Sequence, residues 1–402
     1  MIPSGSGTEE ARRLAEAAVG AIRRAVDGAD AATRLTALKE VLNQLVEEVA
    51  ALSSIEERVR TYTHRIPGAR TVEELGGLHR TLNALAVELF RSDHSVPELL
   101  ELCTAYRDLL SVQALRLVER ELGPPPCAYA VGCMGSEGRR EQTVATDQDN
   151  MLVYQAPEGR EYFQRFGRAV NACLEQIGLA RCTGGIMMGE PAWQGTFGDW
   201  KDRIDRTVAF QGKGSAHRKQ LLDLMVLSDL RFVHGARPLL QQVASHLFGR
   251  LHANVPVLYD MAVACVSMPV GLGLFGKFRA EKSGPHKGRF SVKLLGWAPL
   301  VLAVRVLALK EKIYETNTVR RIEALRLHNR IDAALEASLV EAYTVLTRLK
   351  VECQLGASGA AGHDTYYVDP EALDPTRRDA LRRALHTVES FQKLAYNSFM
   401  LR

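Results

Sequence analysis

The chain has 402 residues, 46% of them hydrophobic and 24% charged, with a net charge of +4. That length predicts two or three packed units, and the composition is that of an ordinary globular protein. The mild charge balance carries no basic, aromatic-rich stripe that would point to nucleic acid, and the longest uncharged apolar run, residues 261–275, falls short of the roughly 20 residues that span a bilayer.

Apolar residues recur at three- and four-residue steps among charges over residues 8–65, which predicts an N-terminal helical arm over residues 1–68. Pro67 and Gly68 interrupt it. Thr71 then offers an N-cap with Glu74 three positions on, and a helical lead-in follows over residues 69–122. The run GPPP at 123–126 stops that block, because proline cannot continue a helix and restricts the residue before it.

Residues 127–131 read as a short buried strand, 151–154 as a second, 162–177 as a helix, and 184–189 as a third strand leaving a glycine turn. Residues 123–215 therefore read as an α/β unit. From 216 to 402 the spacing is helical again, with loops at 271–276, 282–288 and 356–369. The expected fold class is α+β, with an α/β domain flanked by an N-terminal helical region and a C-terminal helical domain.

The seven cysteines are scattered and form no C-x-x-C pair, so they read as reduced thiols of a cytoplasmic protein. The start, MIPSGSGTEEARR, lacks the apolar core of an export signal. Eleven histidines give no zinc-site spacing, which leaves His234 structural, and no G-x-S-x-G elbow occurs.

Chemistry concentrates in GSEGRREQTVATDQDN, residues 135–150. Asp147 and Asp149, two apart at the start of a strand, should project on one face. Two adjacent carboxylates repel, and oxygen ligands suit Mg2+ held together with substrate phosphates; the alternative is a solvated turn. Gly135 and Ser136 follow a strand and precede a helix-compatible run, where glycine lets an anion approach the main chain. The stretch is not a Walker loop, since no Lys-Ser/Thr pair follows the glycines. Arg139 and Arg140 either bind phosphate or pair with Glu137 and Glu141.

A strand, a Gly-Ser turn and an acidic pair on a second strand resemble the nucleotidyltransferase superfamily of the DNA polymerase β type. GSEGRREQTVATDQDN, GGIMMGEPAWQGTFGDW, SDLRFVHG and VKLLGWAPLVLAVRVLAL with NTVRRIEAL are, in that order, similar to motifs of a bacterial nucleotidyltransferase family related to the uridylyltransferase of the PII signalling protein. The resemblance covers about residue 70 to the C-terminus. It implies a catalytic domain followed by a helical substrate-binding domain. It also implies transfer of AMP or UMP from ATP or UTP to a protein hydroxyl, with Mg2+, or alternatively Mn2+, on Asp147 and Asp149, and triphosphate on Gly135 and Ser136.

The superfamily adds a third carboxylate. Glu190 is the candidate, standing where the family commonly has Asn; the alternative is a loop acid preceding Pro191. Asp229, Arg231 and Lys293 are further nucleotide-binding candidates. Against them stand an ion pair between Asp229 and Arg231, and a lysine, like Arg305, snorkelling from a helix edge. Trp193 and Trp200 either stack on a base or anchor packing. Family members often carry CBS or cyclic-nucleotide-binding domains in front, and residues 1–68 are too short and too uniformly helical for either. They leave room for a partner or a homo-oligomer held by the N-terminal helices. The competing function is a nucleotide-binding regulatory or scaffold protein without turnover.

Overall fold

The computed structural model describes residues 54–210, 214–273, 276–356 and 366–400. Most of the expected N-terminal arm lies outside these residues; within them 54–65 are helical. The Thr71 hydroxyl caps α1 (Val72–Asp93) by accepting the Glu74 backbone N–H at 3.2 Å. The helical lead-in is two helices, because His94 enters the left-handed region at φ 58° and Ser95 caps α2 (Val96–Leu122) anew. Gly123, at φ 85°, ends α2 ahead of the prolines.

A four-stranded mixed sheet follows, in the order β3-β2-β1-β4. Strands β1 (Tyr129–Cys133) and β2 (Asn150–Tyr154) are antiparallel and wholly buried, with Cys133 opposite Asn150. Alternation sorts the side chains of β1. Val131 and Cys133 line the same space as Leu115 of α2 and Val170 and Leu174 of α3 (Arg160–Ile177). Gly132 faces the other way, and a Cβ there would meet Leu230 at 2.6 Å and Leu240 at 3.0 Å.

The third strand is not at 184–189. There the Met188 N–H donates to the Asn150 side chain at 2.9 Å and the Gly189 N–H to that of Asn171 at 2.7 Å, so these amides serve side chains instead of a neighbouring strand. Strand β3 is Gln194–Thr196, parallel to β2, and its last residue caps α4 (Phe197–Ala209) in a capping box with Asp199. Helix α5 (Ser215–Leu227) leads into β4 (Arg231–Gly235), antiparallel to β1, so the sheet takes a strand from beyond residue 215.

After α6 (Arg237–His252), the remainder is a bundle: α7 (Val255–Val266), α8 (Ala298–Lys310), α9 (Thr318–Leu327), α10 (Ala333–Gly356) and α11 (Pro375–Ser398). A two-stranded ribbon, β5 (Phe290–Ser291) with β6 (Tyr367–Val368), and a π-helical turn, Lys293–Trp297, sit ahead of α8 and beside α10. Helix α8 is buried nearly all round, which makes it the bundle's central element. The protein is thus α+β, as its sequence pattern predicts. Among the described residues no helix is long and apolar enough to cross a membrane.

Candidate functional site

The GSEGRREQTVATDQDN stretch is not a solvated loop. Glu137, Arg139, Glu141, Gln142 and Thr143 are all buried. Its carbonyls are held from two sides. Arg107 of α2 donates to Thr143 O at 2.6 Å and Val144 O at 3.1 Å, and Gln354 of α10 donates to Ala145 O at 2.8 Å.

Gly135 to Gly138 form a single helical turn directly after β1. Gly135 sits at φ 56°, and a Cβ on it would stand 2.1 Å from the Asp149 carboxylate. Glycine is therefore required twice over, for the backbone conformation and for the approach of Asp149. The Met134 N–H donates to Asp149 O at 2.8 Å, which ties the turn to the acidic segment. Beneath them Glu137 accepts the Asp149 backbone N–H, and burial together with Asp108 pushes its carboxyl up to about 7 against the opposing Arg231.

Asp147 and Asp149 lie just ahead of β2, where Asp147 bridges Ala180 and the Gln148 N–H donates to Ala180 O at 2.9 Å. Extended backbone points Gln148 and Asn150 inward, into an amide network with Asn171. Gln148 donates to Leu179 O at 2.9 Å, and the Asn171 amide donates to Gln148 at 2.7 Å and Asn150 at 3.0 Å. The aspartates face the other way. An oxygen of Asp147, an oxygen of Asp149 and Sγ of Cys182 all lie within 4.8 Å of one another. Neither aspartate has an ion-pair partner among the described residues. Burial and the Asp147 charge raise the Asp149 carboxyl well above its usual range, and burial with Asp149 pushes the Cys182 thiol up to about 12.

The two convergent carboxylate oxygens, with no basic side chain paired to them among the described residues, fit a hard divalent cation, while the Cys182 thiol beside them hydrogen-bonds to Asp149. Cys182 has no motif around it in the sequence, and only the fold reveals it. Glu190, at the entrance to the Pro191–Trp193 turn, does not join this cluster.

The other candidates divide. Arg139 donates to Glu141 at 2.7 Å and to Asp229 at 2.6 Å. Asp229 also accepts from Arg305 of α8 and, at 2.9 Å, from Arg321 of α9. Burial alone would raise the Asp229 carboxyl; the guanidinium groups of Arg305, Arg139 and Arg321 outweigh it and hold it below the usual range. Three arginines and two carboxylates thus lock the α/β unit to the helical bundle, reinforced by Asn317 on Arg139 O at 3.0 Å and the Thr318 N–H on Glu141 at 2.7 Å. Arg305 neither snorkels nor faces a cleft.

The alternative weighed for Asp229 and Arg231, an ion pair between them, does not form. Arg231 instead makes a two-pronged bridge to Asp108 at 2.7 and 2.8 Å and donates to Glu137 O at 3.1 Å. Trp193 and Trp200 are buried, and the Trp200 indole donates to Leu152 O at 3.0 Å, so both anchor packing. Arg140 is exposed at φ 58°, with no ion pair among the described residues. Lys293 stands in the π-helical turn with its ammonium 4.8 Å from the Tyr366 ring centroid. Beside it is Lys350, which no motif in the sequence marks. It is buried with its ammonium 4.2 Å from the Trp297 ring centroid, and burial, Lys293 and Arg139 lower it to about 7 while Glu141 and Asp147 oppose them.

Residues 80–212 match the family model described as Putative nucleotidyltransferase DUF294, and residues 256–399 match the model described as Putative nucleotidyltransferase substrate binding domain. The first span carries the Gly-Ser turn, both aspartates and Cys182; the second carries Lys293, Arg305, Arg321 and Lys350. No curated protein matches the chain.

Proposed function

Because the chain belongs to this nucleotidyltransferase family, we propose that it transfers AMP or UMP from ATP or UTP to a protein hydroxyl, with Asp147 and Asp149 as ligands of Mg2+ or Mn2+. The observation that carries this reading is the convergence of the two aspartate carboxylates beside Gly135 with no cation side chain between them. A divalent cation held there would supply charge neutralisation on the reacting phosphate and on the departing pyrophosphate.

The protein's own residues do the rest. Gly135 yields its side-chain space to the Asp149 carboxylate, which leaves the main chain of the turn and the half-buried Ser136 to meet the phosphates. Gln148, Asn150 and Asn171 fix the backbone that aims the aspartates, which is positioning in the sense that a small misplacement costs rate. The exposed Arg140 is the arginine left to meet phosphate, since Arg139 is committed to Glu141 and Asp229. We assign Glu190 no part. The seven cysteines are all unpaired, which supports a reducing compartment such as the cytoplasm.

The test is incubation with α-phosphorus-labelled ATP or UTP, a divalent cation and a cell lysate as acceptor source. Label should enter protein with wild type and be lost with Asp147→Asn or Asp149→Asn; equal labelling by the variants would end the proposal. One observation favours the second reading, nucleotide binding without turnover: the third group beside the aspartates is the Cys182 thiol rather than a carboxylate. Pyrophosphate released in step with nucleotide consumed would exclude it.

A further inference from the structure

Lys350 is an anomaly of the helical bundle. It is 5% exposed, yet its ammonium has no carboxylate partner among the described residues. Two aromatic rings and a second cation stand by it, with the Trp297 ring centroid at 4.2 Å, the Tyr366 ring centroid at 5.9 Å, and Lys293 sharing Tyr366 from 4.8 Å. Two like charges converge where one of them is already desolvated, an arrangement that is costly unless an anion completes it.

The carboxylates in the neighbourhood do not serve. Glu141 is taken up by Arg139 at 2.7 Å and by the Thr318 N–H at 2.7 Å. Gln354, beside Tyr366, donates to Ala145 O at 2.8 Å, two residues before Asp147, and Asp147 makes no ion pair with Lys350 among the described residues. The site is built, not incidental. Trp297 is pinned by donating to the Thr347 hydroxyl at 3.2 Å, and Gln354 donates to the Tyr366 hydroxyl at 3.3 Å. Lys293 and Trp297 are brought round by a π-helical turn, a distortion that is frequent at functional sites.

We propose that Lys350 and Lys293 bind the polyphosphate tail of the nucleotide from the side facing Asp147, so that the helical bundle supplies the cationic half of the nucleotide site. This rests on the reading of Asp147 and Asp149 as the metal and nucleotide site. It gives the bundle a role in holding the nucleotide, besides any role in recognising an acceptor. Lys350, nearly sealed, contributes the desolvated contact; Lys293, more open, contributes the approach.

The experiment is titration calorimetry with ATP, AMP and inorganic tripolyphosphate in the presence of Mn2+, on wild type, Lys350→Met, Lys293→Met and Asp149→Asn, with a thermal melt of each. Lys350→Met should weaken ATP and tripolyphosphate by about tenfold or more, as expected for losing a charge-assisted contact, and leave AMP unchanged. Its melting temperature should hold or rise, because an uncompensated buried charge is removed; a purely structural lysine would show the reverse pattern. If Lys350→Met does not fold, Lys293→Met carries the same comparison with a smaller expected loss. Wild-type affinity for ATP and tripolyphosphate in both lysine variants, with the Mn2+ dependence lost in Asp149→Asn, would overturn this inference and leave the metal site standing. No ATP or tripolyphosphate binding by wild type would overturn both.

Discussion

The stretch between β1 and β2 feeds two charge clusters that obey opposite rules. In the first, Arg139 and Glu141 join Asp229, Arg305 and Arg321, every one buried and every one paired. In the second, eight residues after Arg139, Asp147 and Asp149 face each other and Cys182 with no cation among the described residues. Both concentrate charge, and only one resolves it internally. A compensated cluster fastens the α/β unit to the bundle. An uncompensated one holds its carboxylates at an energetic cost, which the folded chain tolerates where a ligand completes the set.

Matched substitutions break the comparison most directly. Asp149→Asn removes a proposed metal ligand and should cost transfer roughly 10²- to 10⁴-fold, the equivalent of several kcal/mol of charge stabilisation, read in a single-turnover assay. The same change relieves repulsion with Asp147, so the metal-free protein should melt no lower than wild type. Asp229→Asn, chemically the same edit, leaves three buried guanidinium groups short of a partner. It should lose about 3–5 kcal/mol in denaturant unfolding.

Glu137 sharpens the contrast from between the clusters. Its folded pKa of about 7 lies above its ordinary value of 4.5. The unfolded chain therefore releases this proton first, and the stability Glu137 contributes below pH 4.5 is lost as pH rises towards 7. Glu137→Gln should flatten that decline by roughly 3 kcal/mol, visible in unfolding curves across the window. Gly135→Ala is expected to be smallest, about 1–3 kcal/mol from the left-handed backbone. Its added Cβ must also displace the Asp149 carboxylate, so Mn2+ affinity should fall further than stability does.

Local signals in the sequence were legible. The Thr71 cap, the stop after Leu122, β1, β2 and α3 fall within two residues of their expected places, because turn chemistry and periodicity act over a few positions. The Gly-Ser turn and the shared face of Asp147 and Asp149 followed from the same reasoning. Strand β3 escaped because three residues carry no period, while the apolar run before it spends its amides on Asn150 and Asn171.

The ionic cluster escaped for a different reason. Arg139, Arg305 and Arg321 lie 90, 76 and 92 positions from Asp229, and nothing local distinguishes a guanidinium that pairs from one that binds phosphate. Cys182 had no motif. Lys350 did leave a trace: Leu339, Tyr343 and Leu346 mark a buried stripe on α10, and the next position of that stripe is the lysine.

The central claim is that the Asp147 and Asp149 pair is a cation site completed by nucleotide, and Mn2+ binding followed by electron paramagnetic resonance tests it most directly. Wild type should bind Mn2+ more tightly when ATP is present, and Asp147→Asn with Asp149→Asn should abolish that binding. Equal Mn2+ binding by wild type and the double variant, with and without ATP, would contradict the account.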